Sequence, residues 1–153
     1  MSLINSKLTK IFLLSLFSCL AGCAVPKEFK PIVAGEGGKA QLLQESISMV
    51  HKSVQWGDPT IAFDSVAPQI FPMYYTKMIG NPKNIRVMEV SPTGVQMDPV
   101  DINKATSTVE IQVYGAPTYA VRTIAKKESW EFSRMSGGWR LVSVEDAPVS
   151  NPQ

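Results

Sequence analysis

The hydrophobic period of this chain changes once, at Asn81-Pro82, and that change decides what it can fold into. Before it, the spacing is helical. From about Lys39 to Trp56, Leu43, Ile47, Val50 and Val54 fall on one stripe, widened by Leu42, Met49 and Trp56. Gln44, Glu45, Ser48, Lys52 and Gln55 hold the opposite face. After it, apolar residues alternate: Val109, Ile111 and Val113 on one side, Thr108, Glu110 and Gln112 on the other. Helices followed by a meander of antiparallel strands predict an α+β fold, with the N-terminal helices packed on one face of the sheet.

Turn chemistry divides the two halves further. In Trp56-Gly57-Asp58-Pro59, Gly57 suits a left-handed helix stop and Asp58 suits a cap. Pro59 suits the first position of a second helix, which ends before Pro68. A third helix is expected from Pro72 to Ile79, closed by Gly80. "NIRVMEV" and "GVQMD" read as short strands separated by a turn or bulge at "SPTG". A strand over "TSTVEIQVY" turns at "GAPT" into a long one from Tyr119 to about Arg134. There Trp130 and Phe132 share one parity, and Ser129, Glu131 and Ser133 the other. "MSGG" turns again into "WRLVSVE", and residues 148–153 form a tail.

The amino end has a different character. Lys7 and Lys10 precede an apolar run from Ile11 to about Leu20, too short for a hydrocarbon core of about 30 Å. Small residues then lead into a cysteine. Leu20-Ala21-Gly22-Cys23 resembles the bacterial lipobox. The resemblance implies a lipoprotein signal peptide over 1–22, with diacylglycerol on the Cys23 sulfur and an acyl chain such as palmitate on the new amino end. Ala24, in place of the aspartate that retains such proteins at the inner membrane, points to the outer membrane, facing the periplasm. Removing residues 1–22 of the 153 leaves 131, one domain by size. It takes away Cys19 and two lysines, so the mature chain has 13 basic and 13 acidic residues and no free thiol. Neutral balance without a Lys/Arg cluster argues against nucleic acid. Residues 24–38, broken by Pro26, Pro31, Gly35, Gly37 and Gly38, read as a tether beyond the lipidated cysteine, with a reach of at most about 50 Å. The domain proper is expected over 39–147.

The helix–Gly-Asp–helix start and the closing "ESWEFSRMSGGWRLVSVED" resemble the nuclear-transport-factor-two-like superfamily, also called the cystatin-like cone, over about residues 37–147. The resemblance implies a strongly curved sheet wrapped around helices, enclosing an apolar cavity open at one end. It also implies isomerases, dehydratases, transport adaptors and assembly modules as relatives, so the fold leaves function open.

An enzyme of this fold needs an acid–base group inside the cone. His51, the only histidine, lies about 60° from the centre of the apolar stripe and reads as a boundary residue with one nitrogen in water. Asp58 reads as a cap, Asp64 as a solvated residue that would be catalytic if it pointed inward, and Asp98 and Asp101 as turn formers. No nucleophile elbow, phosphate loop or metal-ligand spacing occurs, so no cofactor is implied. Phe63, Phe71, Tyr74, Tyr75, Tyr119, Trp130, Phe132 and Trp139 are candidates for lining a ligand or partner cavity, with core packing as the alternative. The expected function is a membrane-anchored periplasmic module that binds a protein partner or small apolar ligand, as an accessory or assembly subunit of an envelope complex. The alternative is an isomerase- or dehydratase-type enzyme using Asp64, His51 or a tyrosine. A homodimer through the sheet face would use Glu110, Gln112, Tyr114 and Arg122.

Overall fold

A computed structural model describes residues 36–149. The expected signal peptide, Cys23, the tether up to residue 35 and the tail from residue 150 lie outside the described residues. Helix α1 spans Glu36–Trp56 and begins three residues before Lys39, through Gly37 and Gly38. Glycine costs little there, because the first turn of a helix has unpaired N–H groups whatever residue occupies it. Gly57 ends α1 at φ 69°, and Asp58 caps the next turn by accepting from the Thr60 N–H. That turn, Pro59–Ser65, is a 3-10 helix. Helix α2 covers Phe71–Ile79 and stops at Gly80, φ 84°.

The sheet is a simple antiparallel meander of four strands, β1 (Ile85–Met97), β2 (Lys104–Gly115), β3 (Ala120–Ser133) and β4 (Gly138–Ala147), in sequential order. The two short runs expected before Asp98 form one strand, β1. The "SPTG" stretch interrupts only its register, between Pro92 and Gly94, with a second shift between Val87 and Glu89. Such bulges let an edge strand bend without losing its partner. At the other edge, Val66 makes a parallel bridge to Leu141, and the Ala67 N–H donates to the Leu141 carbonyl at 2.9 Å.

One face of the sheet closes on the helices. Leu43, Ile47, Val50 and Val54 of α1 are buried against Val109, Ile111 and Val113 of β2, as the alternation requires. Each aliphatic side chain so buried contributes about 1.5–3 kcal/mol. Trp139 of β4 is buried and its indole N–H donates to the Lys39 carbonyl at 2.8 Å. The Lys39 ammonium donates to Asn103 at 2.9 Å and sits 4.9 Å above the Phe132 ring. The first turn of α1 is thus fixed to both the β1–β2 connection and the closing hairpin. Among the described residues, no helix is long and apolar enough to cross a membrane.

Candidate functional site

His51 does not sit at a wet boundary. It is 7 % exposed, and its Nε2 lies 3.1 and 3.2 Å from the two carboxylate oxygens of Glu128. The reason is the curvature of the sheet, which covers α1 well beyond its central stripe, so a residue 60° off that stripe is enclosed too. Glu128 has no solvent exposure at all. It stands opposite Ser107 in the β2–β3 register, with Trp130 opposite Ala105 one step along the same face. The Trp130 indole N–H donates to the Ser107 hydroxyl at 2.7 Å, and that hydroxyl donates in turn to Glu128 Oε2.

The hydrogens of this network have a direction. Indole N–H can only donate, so Ser107 Oγ accepts from it and passes its one hydrogen to the carboxylate. An ionised Glu128 has only acceptors, so the His51 Nε2 facing it carries hydrogen. The buried charge is met by an imidazole N–H and a hydroxyl, and charge-assisted bonds of this kind are the stronger ones. Isolated, a carboxylate in this position would be very costly.

Glu128 was legible in the parity of β3, since it falls on the side of Trp130 and Phe132. A charged residue there reads as solvated until its partner, 77 residues earlier in the chain, is brought to it.

The expected aromatic lining divides into three groups. Phe63, Phe71, Tyr74 and Tyr75 form a chain of rings with centroids 5.3, 5.6 and 6.3 Å apart. Only Tyr74 of these is fully buried. Its hydroxyl donates to the Pro59 carbonyl at 3.2 Å and lies 3.0 Å from Ser53 Oγ. Phe63 is 66 % exposed at the outside of the chain, which corrects its expected place in a cavity. Tyr75, half-buried, lines a cavity of about 290 Å³ with Val54, Trp56 and Ile85 at the end of α1. Trp130 and Trp139 belong to the core, Trp139 edge-on to Phe132 at 5.6 Å. Tyr119 is 63 % exposed at the β2–β3 turn, beside Tyr114, and is likewise no part of the interior.

Burial pushes the hydroxyls of Tyr74 and Tyr75 above their ordinary range; for Tyr74 the Ser53 hydrogen bond opposes this, while charges on Tyr75 and Asp58 add to it. Asp64 is exposed, which removes it as an inward acid. Asp58 and Asp98 are held below the usual carboxylate range by hydrogen bonds, mainly from Thr60 to Asp58 and from the Asp101 and Val100 amides to Asp98. Both act as the caps and turn formers the sequence suggested. On the outer sheet face, Glu110, Gln112 and Tyr114 share a parity, but Arg122 is registered opposite Val113 and takes the other one. Tyr114 is paired instead with Val121.

Cavities of about 280–370 Å³ open on the surface of the described residues, and neither His51 nor Glu128 lines the five best formed of them. One of about 350 Å³ lies on the sheet between Gln96, Asp98, Thr106, Ser129 and Glu131, and the expected cavity residue Trp130 contributes to its lining.

Helices enclosed by a curved four-stranded antiparallel sheet make this an α+β fold of the nuclear-transport-factor-two-like kind. Solved structures agree. A putative calcium/calmodulin-dependent kinase II association domain from Exiguobacterium sibiricum superposes with a TM-score of 0.56 at 12 % identity, over 74 % of this chain and 95 % of that one. A nuclear transport factor 2-like superfamily protein from Salmonella enterica serovar Typhimurium gives 0.51 at 16 % identity, over 78 % and 96 %. At such identities the likeness concerns the fold alone. No protein-family profile matches the chain, and no curated protein matches it at a significant level.

Proposed function

We propose that this chain is a lipid-anchored module of the bacterial outer membrane that faces the periplasm and binds a protein partner as an accessory subunit of an envelope complex. One observation carries the partner-binding half. The interior that would otherwise receive a ligand is occupied by the protein's own Tyr74, Trp130 and Trp139, each almost wholly buried. Binding then falls to the outside. The outer surface offers Val95, Val100, Ile102, Tyr114 and Val121 as exposed apolar groups on or beside the sheet. The anchor half rests on the lipobox-like Leu20-Ala21-Gly22-Cys23. Two or more acyl chains on one residue hold a domain to a bilayer, where one chain holds only marginally. The test is a crosslinked purification from native envelopes beside a Cys23→Ala form. A defined partner that disappears with the anchor, together with a diacylglycerol mass on Cys23, supports the reading. An unmodified sulfur in the cell-derived protein contradicts the anchor.

The His51–Glu128 pair favours a second reading, a proton-transfer enzyme of the isomerase or dehydratase type. An imidazole and a carboxylate in mutual hydrogen bond are suitable acid–base groups. This reading requires the cone to open far enough for a substrate to reach them. A reaction abolished by Glu128→Gln in a variant of unchanged fold would establish it.

A further inference from the structure

The turn between β2 and β3 is built in an unusual way. Tyr119 holds φ 51°, a left-handed conformation that bulky side chains rarely adopt. Its N–H donates to the Gly115 carbonyl at 2.9 Å, closing the turn. Gly115 itself is pressed against the 3-10 turn before β1, where a Cβ would stand 1.9 Å from the Asn84 carbonyl oxygen. The same oxygen accepts from the Ala116 N–H at 3.1 Å. Two separate segments are thereby fixed to each other, and a cavity of about 330 Å³ lies between them.

Its lining is chemically selective. The Tyr114 and Tyr119 rings stand 5.9 Å apart at 55°. Lys83, Asn84 and Arg86 complete the wall, and no acidic side chain lines it. Arg86 is the direct cross-strand neighbour of Tyr114. Among the described residues, no ion pair links Lys83 or Arg86 to a carboxylate. A non-glycine residue held in the left-handed region is a strain that clusters at functional sites.

We propose that this cavity binds an anionic saccharide, a sugar ring bearing a carboxylate. Rings packed on each other at 55° leave no parallel slot between them for a flat aromatic ligand, and both stay exposed enough to meet the C–H edges of a puckered ring. Arg86 presents a planar fork that matches a carboxylate, with Lys83 as a second charge. The Asn84 amide suits a hydroxyl, which can both donate and accept. A free phosphate or a lipid headgroup would satisfy the cations and leave the tyrosine faces bare. The site depends on neither the anchor nor a protein partner.

The test is calorimetric titration of the full chain in detergent micelles. Tetragalacturonic acid is the probe, maltotetraose the neutral control and glycerol 3-phosphate the headgroup control. Saturable binding is expected for the uronate alone, weakening as salt rises. Arg86→Gln should weaken it roughly tenfold. Tyr119→Gly should weaken it by a similar factor, roughly tenfold. Because glycine relaxes the backbone there, Tyr119→Gly should melt no lower than wild type, which separates lost binding from lost folding. No binding of the uronate, equal binding of either control, or wild-type affinity in both variants overturns the proposal.

Discussion

A carboxylate shut away from water persists only where donors meet its oxygens, and Glu128 depends on His51 and Ser107 for this. Removing the imidazole by His51→Ala strands the charge and should cost about 3–5 kcal/mol, read from urea unfolding. Replacing both partners, His51→Leu with Glu128→Leu, should cost well under the sum of the single changes, since contacting residues are not additive. Additive costs would show that the two do not interact. Alkaline pH reports on Tyr74 and Tyr75, whose pKa values burial raises. Their protons are held more tightly in the folded than in the unfolded chain, so this stabilisation is complete below pH of about 10 and fades as pH climbs above it. The expected outcome is an alkaline unfolding limb that becomes shallower in a Tyr74→Phe, Tyr75→Phe double variant. An unchanged limb would show that the two phenols do not set it. The pairing of His51 with Glu128 was not legible in the sequence, because local pattern treats a charged residue as solvated and a flanking histidine as half-wet. Both assignments fail for one reason, the wrap of a sheet around a helix, which no short window contains.

At the scale of elements, period and punctuation carried nearly everything. Gly57, Asp58 and Gly80 sit at the helix ends where their backbone preferences place them. The Val109–Ile111–Val113 alternation identified the buried face of β2. Several boundaries shifted, two of them for identifiable reasons. Gly37 and Gly38 are tolerated in the first turn of α1, which Lys39 and Trp139 tie to the sheet. Pro92 and Gly94 are absorbed by a bulge on an edge strand, where a missing N–H need leave no ladder bond unmade. Gly115 was read only as the start of the "GAPT" turn, and its close approach to Asn84, a segment far away in sequence, gave no signal. Gly115→Ala should lower stability by about 1–3 kcal/mol in a thermal or denaturant melt, because the added carbon displaces backbone and not a flexible side-chain end. A melt equal to wild type would mean the two segments separate freely.

For the molecule as a whole, a filled interior is set against an available exterior. Of the aromatic residues expected around a ligand, Tyr74 and Trp139 are core and Phe63 is surface, while Tyr75, Tyr119 and the almost wholly buried Trp130 each line a surface cavity. This division was hidden because an inward-facing aromatic ring has the same sequence signature whether it fills a cone or lines one. The most direct measurement places a photoreactive amino acid at Gln112, on the outer sheet face, and separately at Lys52, on the exposed side of α1. In intact envelopes the account predicts one defined crosslinked partner from Gln112, none from Lys52, and loss of that product in the Cys23→Ala background. Crosslinks from Lys52 alone, or no partner from Gln112 in a properly anchored protein, would contradict it.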